Sequence, residues 1–191
     1  MTLARRAVLD DFKIEKNGIS IQEIPFVGKI NLRGDKNDRD FLSNVGSILN
    51  IIMPLEPNTK VQNKELQAIW LGPNEWLLSY IKNDNFLDTL NILYNQLNPE
   101  KTSITDTSEN KTIIRIEGHN TNQLLSKFLV LDIDNVLKDN SKVAQTIFVK
   151  IPILLIRNHS DKDKQSFDIH VNRSHTNYLK DLLLDGCNQF I

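Results

Sequence analysis

VGKINLRGDKNDRDFLSNVGSILNII, residues 27–52, decides how the fold is read. Its first part, Val27 to Arg33, reads as a β-strand and is closed by Gly34. Asn37 or Asp38 then stands where a helix N-cap is needed, because a short polar side chain there accepts from the first unpaired amides. Phe41, Leu42, Val45, Ile48, Leu49 and Ile52 follow at i, i+1, i+4, i+7, i+8 and i+11, which places them on one helical face. Pro54 and Pro57 end the helix.

Outward from this stretch the elements continue. Ile19 to Glu23 alternates apolar and polar residues and reads as a strand. Ala68–Leu71 and Trp76–Ile81 form a hairpin around Gly72-Pro73-Asn74-Glu75, since proline suits the second position of a type I or II turn and asparagine tolerates the third. Asp84 or Asn85 caps a second helix, with Phe86, Leu87, Leu90, Leu93, Tyr94 and Leu97 on one face, and Pro99 stops it.

The same order then recurs. Thr112 to Glu117 is a strand ending at Gly118, and Asn120 or Thr121 caps a helix bearing Leu124, Leu125, Phe128 and Leu129. Val143 to Ile151 and Ile153 to Arg157 read as strands broken at Pro152, and Phe167 to Val171 alternates as a third. Ser174 caps a last helix with Tyr178, Leu179, Leu182 and Leu183, and Gly186 suits its C′ position. Gly34 and Gly118 occupy equivalent places. The chain therefore reads as duplicated βαββα units, an α+β fold with helices on one face of antiparallel sheet. The expected divisions are an N-terminal arm over 1–18, a first half over 19–98, a second half over 99–187 sharing one core with the first, and a tail over 188–191.

Composition narrows the function classes. The chain has 191 residues, 40% of them apolar, with 23 basic against 24 acidic residues and a net charge of −1. This balance gives no general attraction to nucleic acid or anionic lipid, and no basic stripe with interleaved aromatics is present. No stretch approaches the roughly 18 apolar residues of a membrane span. Arg5 and Arg6 are followed by only three apolar residues before Asp10 and Asp11, too few for a secretory segment. A single cysteine, Cys187, excludes an intrachain disulfide framework. The expectation is a cytoplasmic protein that binds neither nucleic acid nor membrane.

Chemistry-bearing motifs are sparse. Flavin or nicotinamide binding by a Rossmann unit needs clustered glycines, because only glycine lets the backbone approach a pyrophosphate. The seven glycines stand at 18, 28, 34, 46, 72, 118 and 186, with no two within three residues. The histidines, 119, 159, 170 and 175, show no paired zinc-ligand spacing. No GxSxG nucleophile elbow is present. His170 shares a strand face with Asp168 and Asn172 and reads as a solvent-facing or interface residue. Cys187, at a helix end, reads as a buried small hydrophobe. Asp10-Asp11, Asp132/Asp134 and the run Asp161 to Lys164 read as solvated turns. No catalytic, cofactor-binding or metal residue is assigned to this chain. The candidate structural or interface residues are Trp70, Gly72, Pro73 and Trp76. Trp70, inside the first strand, is assigned to the core. Trp76 fits either core packing or an anchor on a partner.

PFVGKINLRGD (25–35), MPLEPNT (53–59) and IWLGPNEWLL (69–78) resemble the signature segments of the gamma subunit of heterotetrameric sarcosine oxidase. TDTS (105–108), AQTIFVKIPILLIR (144–157) and FDIHVNRS (167–174) extend the resemblance through the second half. The resemblance implies a complex of alpha, beta, gamma and delta chains. That complex demethylates sarcosine oxidatively to glycine, a one-carbon unit (formaldehyde or methylene-tetrahydrofolate) and hydrogen peroxide. It further implies FAD, FMN, NAD and tetrahydrofolate on alpha and beta, zinc on delta, and a non-catalytic, structural role for this chain.

Residues 104–184 also resemble the folate-binding module of glycine-cleavage aminomethyltransferases, through D-x-S, a strand ending in glycine and a Leu-rich helix. Those enzymes carry an aspartate where this chain has the apolar KIPILL (150–155), which cannot supply proton transfer or polar contacts to a pterin. The alternative function is a free-standing folate-binding, one-carbon-transfer module. An interaction protein without a metabolic enzyme partner is the third reading. Tight folate binding by the isolated chain would separate the second from the first.

Overall fold

The computed structural model describes residues 5–10, 12–82, 84–159 and 165–188; the Asp161 to Lys164 run lies outside them. In chain order the strands and helices are β1 (Lys13–Lys16), β2 (Ile19–Ile24), β3 (Lys29–Arg33), α1 (Arg39–Leu49), β4 (Lys60–Gln62), β5 (Leu66–Gly72), β6 (Glu75–Tyr80), α2 (Phe86–Gln96), β7 (Ser103–Asp106), β8 (Lys111–Gly118), α3 (Thr121–Ser126), α4 (Ile133–Val136), β9 (Val143–Phe148), β10 (Ile151–His159), β11 (Ser166–Asn172) and α5 (Thr176–Cys187). The fold is α+β. The strands form two wholly antiparallel sheets, β1-β2-β8-β11-β10-β9 and β4-β5-β6-β3-β7. Among the described residues no helix is long and apolar enough to cross a membrane.

The chain divides into a split unit, residues 1–26 with 109–191, and an inserted unit, residues 27–108. Both repeat one plan. A first strand leads to a helix, three further strands and a last helix, and the four strands lie in the order first, fourth, third, second. The first strands are β3 and β8, followed by Gly34 in one case and ending at Gly118 in the other, as the duplication requires. The flanking strands are exchanged. β2 precedes β3 in the chain but pairs with β8, and β7 precedes β8 but pairs with β3. A sequence division at 98/99 keeps each flanking strand with the wrong sheet. Alternation identifies β2 as a strand with Ile19 and Ile21 on one face, but partner choice is a long-range property that no local period carries.

Each unit buries its own apolar cluster, where the sequence reading has one shared core. In the split unit Ile19, Ile21, Ile114, Ile116, Phe167, Ile169 and Leu155 cover one sheet face and pack with Leu124, Leu125, Leu179 and Leu183 of the helices. In the inserted unit Ile30, Leu32, Ala68, Trp76 and Leu78 pack with Phe41, Val45, Leu49, Leu90 and Leu93.

Local chemistry explains the element ends. The Asp38 carboxylate accepts from Asp40 N at 3.0 Å and Phe41 N at 3.1 Å, capping α1 at one of the two expected positions. Asn50 takes a left-handed conformation at φ 51° and closes the helix, so Ile52 lies beyond it and is 85% exposed instead of extending the apolar stripe. In α2 the buried stripe is Phe86, Leu90 and Leu93, continuing to Leu97; Leu87 and Tyr94 lie outside it, with the Tyr94 hydroxyl donating to Ile104 O at 3.1 Å. The break expected at Pro152 falls instead at Val149-Lys150. Pro152 is tolerated inside β10 because it lies opposite Ile147 of β9, before the β11 ladder begins at Ile153.

Residues 13–16 of the expected arm form an edge strand on β2. The Glu23 carboxylate accepts from Val8 N at 3.1 Å, Leu9 N at 2.8 Å and Thr112 Oγ1 at 2.7 Å, which ties the preceding segment to the sheet. Glu109 pairs with both Arg5 and Arg173.

Candidate functional site

The hairpin of β5 and β6 turns through Pro73-Asn74, with Gly72 opposite Glu75 and Trp70 opposite Trp76 across a bulge. Trp76 is fully buried. Its indole Nε1 donates to Pro54 O at 2.7 Å, and its ring lies 5.9 Å from that of Phe41. Trp70 is half-buried at the margin of the same cluster. Trp76, which the sequence left open between core packing and a partner anchor, is a core residue, whereas Trp70, assigned to the core, is only partly buried against it. A position beside the turn says nothing about which strand face meets the helices, and the bulge next to Trp70 alters the alternation there. Gly72 has ordinary space, its nearest neighbour to an added Cβ being Glu75 Cβ at 3.7 Å, so no close approach requires glycine.

The motif segments of the inserted unit converge on this hairpin. Glu75 accepts from Asn31 Nδ2 and Arg33 Nη2, both at 2.7 Å, and Gly34 N donates to Asn74 O at 3.2 Å. Pro54 receives Trp76. Ser108 Oγ accepts from Lys29 N at 2.9 Å and donates to Asp106 at 2.6 Å, which fixes TDTS beside β3. These four segments, far apart in sequence, do packing and hydrogen-bonding work in one unit. Sequence reading missed Asn31, Arg33 and Pro54; the polar side chain at Asn31 within an apolar strand was the available signal.

In the split unit the reading of His170 as solvent-facing or interface is corrected: the residue is fully buried. β11 lies between β8 and β10, and its residues Ser166 to Val171 are buried on both faces, so alternation marks two environments without making either one water. Asp168 on the same strand receives a bidentate bond from Arg115, Nε at 2.7 Å and Nη2 at 2.8 Å. This pairing raises the Arg115 guanidinium further above its ordinary range, against the opposing effect of burial. Asp168→Ala leaves that guanidinium partly buried without its carboxylate. Because Arg115 is about one-third exposed, the expected cost is about 2 kcal/mol, below the range for a fully buried pair, read from urea unfolding. Arg157 pairs with Asp134 and donates to Leu137 O at 3.0 Å.

Cys187 is buried at the end of α5, and burial pushes its thiol up, with Lys127 and Lys16 pulling it partly back. A thiol reagent at neutral pH is therefore expected to label the folded chain slowly and the unfolded chain fully, at this one position. Rapid labelling of the native chain would contradict the burial. Among the described residues no group of three or more His, Cys, Asp or Glu side chains is placed to hold a metal ion. Ile151, Ile153 and Leu155 face the apolar cluster, and Leu154 on the other face is also buried.

The model of the sarcosine oxidase gamma subunit family matches residues 33–189. The chain belongs to this family. A gamma-family relative, sarcosine oxidase subunit gamma of Corynebacterium sp. (strain U-96), is 30% identical over 123 residues. That alignment covers 64% of this chain and 57% of the relative's length. A chain of the heterotetrameric sarcosine oxidase from Corynebacterium sp. U-96, solved in complex with pyrrole 2-carboxylate, has the same fold. It superposes with a TM-score of 0.83 over 97% of this chain and 96% of its own, at 22% identity. The gamma-family segments quoted from sequence, LGPNEW above all, lie mostly within the matched region.

Proposed function

We propose that the chain is the accessory gamma subunit of a heterotetrameric sarcosine oxidase, assembling with alpha, beta and delta subunits. The observation that carries the reading is the family match across residues 33–189, which spans most of both units. The complex oxidises the N-methyl amine of sarcosine to an imine and reduces oxygen to hydrogen peroxide. Hydrolysis of the imine then gives glycine and formaldehyde, or tetrahydrofolate captures the one-carbon unit as methylene-tetrahydrofolate. FAD, FMN, NAD and tetrahydrofolate are assigned to alpha and beta, and zinc to delta. The role of this chain is structural. Scattered glycines offer no pyrophosphate cradle, and the apolar β10 disfavours the alternative of a free-standing folate module.

The test is to purify the chain alone and with its partner subunits. Alone it is expected to be colourless and to catalyse no sarcosine-dependent oxygen uptake, whereas the complex is expected to show flavin absorbance and to take up oxygen with sarcosine. A stoichiometric flavin on the isolated chain, or micromolar binding of tetrahydrofolate to it, would overturn the reading.

A further inference from the structure

The β1–β2 hairpin carries a chemistry that the subunit reading does not use. Its turn is Asn17-Gly18, exposed and closed by the Lys16–Ile19 pair. Both turn residues have positive φ, 51° and 73°, as a two-residue type I′ turn requires. No other Asn-Gly pair occurs in the chain. The pair is reactive because glycine has no Cβ to shield its own amide nitrogen from the preceding side chain. Once hydroxide has taken the proton from Gly18 N, that nitrogen can attack Asn17 Cγ. The new N–Cγ bond closes a five-membered succinimide, the Cγ–Nδ2 bond breaks, and the amide leaves as ammonia with a proton from water. A second water opens the ring at either carbonyl, giving aspartate or isoaspartate. The net change is one water consumed and one ammonia released.

The closed turn holds the reacting atoms apart. A left-handed conformation at the first turn position sets the next amide nitrogen anti to Cβ, so Gly18 N is turned away from the Asn17 side chain. Asn17 Nδ2 donates to Cys187 O at 3.0 Å, which ties the side-chain amide to the end of α5. Lys16 Nζ donates to Asn188 Oδ1 beside it. Gly18 is braced as well, with the His119 ring against its Cα and Gly118 against its carbonyl. Attack therefore needs the hairpin to open. β1 is suited to opening: it has four residues, lies at the edge of its sheet, pairs with β2 alone and buries none of its side chains fully.

We propose that Asn17 is a self-modification site gated by this hairpin. It stays asparagine while the turn is closed, converts to aspartate and isoaspartate when β1 opens, and as isoaspartate no longer lets β1 pair in register. Isoaspartate runs the main chain through the former side-chain carbon, which adds one backbone atom to a two-residue turn. Hairpin register is fixed by the turn, so the Lys16–Ile19 pair cannot re-form unchanged. The carboxylate that replaces the amide also has no proton to give Cys187 O, so the tie to α5 is lost.

The experiment incubates the purified full chain at mildly alkaline pH, folded and unfolded in guanidinium chloride. Peptide mass spectrometry and isoaspartate-specific methylation follow position 17. Asn17 is expected to convert first among the asparagines of the unfolded chain, and about tenfold or more slowly in the folded chain. Two variants open the hairpin without altering either reacting residue. Ile14→Pro removes a β1–β2 ladder bond, and Gly118→Ala presses on the Gly18 carbonyl. Each is expected to convert Asn17 faster than the unmodified folded chain, in step with faster hydrogen exchange in β1. The converted chain, separated by its added negative charge, is expected to lose exchange protection in β1 and to keep it in β8 and β11. Asn17→Asp adds the charge without the extra backbone atom and is expected to keep most of the β1 protection. Equal conversion in the folded and unfolded chain, or another asparagine leading in the unfolded chain, overturns the proposal. So does a converted chain whose β1 is protected as in Asn17→Asp. If one opening variant fails to fold, the other and the denaturant comparison decide.

Discussion

Trp76→Ala is expected to destabilise the inserted unit by about 3–5 kcal/mol, enough to remove its cooperative unfolding transition at ambient temperature. The side chain is fully buried, so the substitution leaves a cavity against Phe41 that the sheet and α1 cannot close without moving. It also leaves Pro54 O without the indole donor. Trp76→Phe keeps much of the ring volume and loses the bond, so about 1 kcal/mol is expected for that variant. Trp70→Ala, half-buried, is expected to cost about 1–2 kcal/mol and to leave the chain folded. Urea unfolding followed by circular dichroism ranks the three. Equal losses for Trp70→Ala and Trp76→Ala would contradict the burial of Trp76 as the distinguishing feature.

Gly118→Ala is the second large effect. Gly118 stands at φ 135°, outside the range of L side chains, at the end of β8 opposite Ile19. An added Cβ would meet Gly18 O at 2.1 Å, a backbone atom that cannot swing away. Backbone strain and steric displacement together are expected to cost about 2–4 kcal/mol. The loss should show first as faster hydrogen exchange in β1 and β2, whose attachment to the sheet runs through that pairing. Gly72→Ala is the comparison, since its added Cβ has ordinary van der Waals space, and it is expected to be near neutral. Protection of β2 unchanged in Gly118→Ala would show that the approach of the two strands is not limiting.

Local features were legible in the sequence. The cap at Asp38, the two-residue turn at Pro73-Asn74 and the equivalence of Gly34 with Gly118 each depend on residues a few positions apart. The helical stripes were legible except at their ends, where Asn50 stops α1 by adopting a left-handed conformation that periodicity does not foresee. Pairing across the sheets was not legible. β2 is a strand by pattern and β7 was not read as one, and the exchange that sends each to the other repeat's first strand is settled by contacts some 90 residues apart for β2. The same limit left Trp76 undecided and misplaced His170, because alternation tells which residues share a face but not how many faces are covered. The family segments were legible as a pattern. Their physical reason, Trp76 on Pro54 and Glu75 on Asn31 and Arg33, needed the fold.

Native mass spectrometry of the assembly purified with this chain, combined with its sarcosine-dependent oxygen uptake, tests subunit membership most directly. The expected result is a single assembly of four different chains that includes this one and oxidises sarcosine, beside an isolated chain that shows no activity. A fully active complex of the other three chains without this one, or oxidase activity in the chain alone, would contradict its place as an accessory subunit.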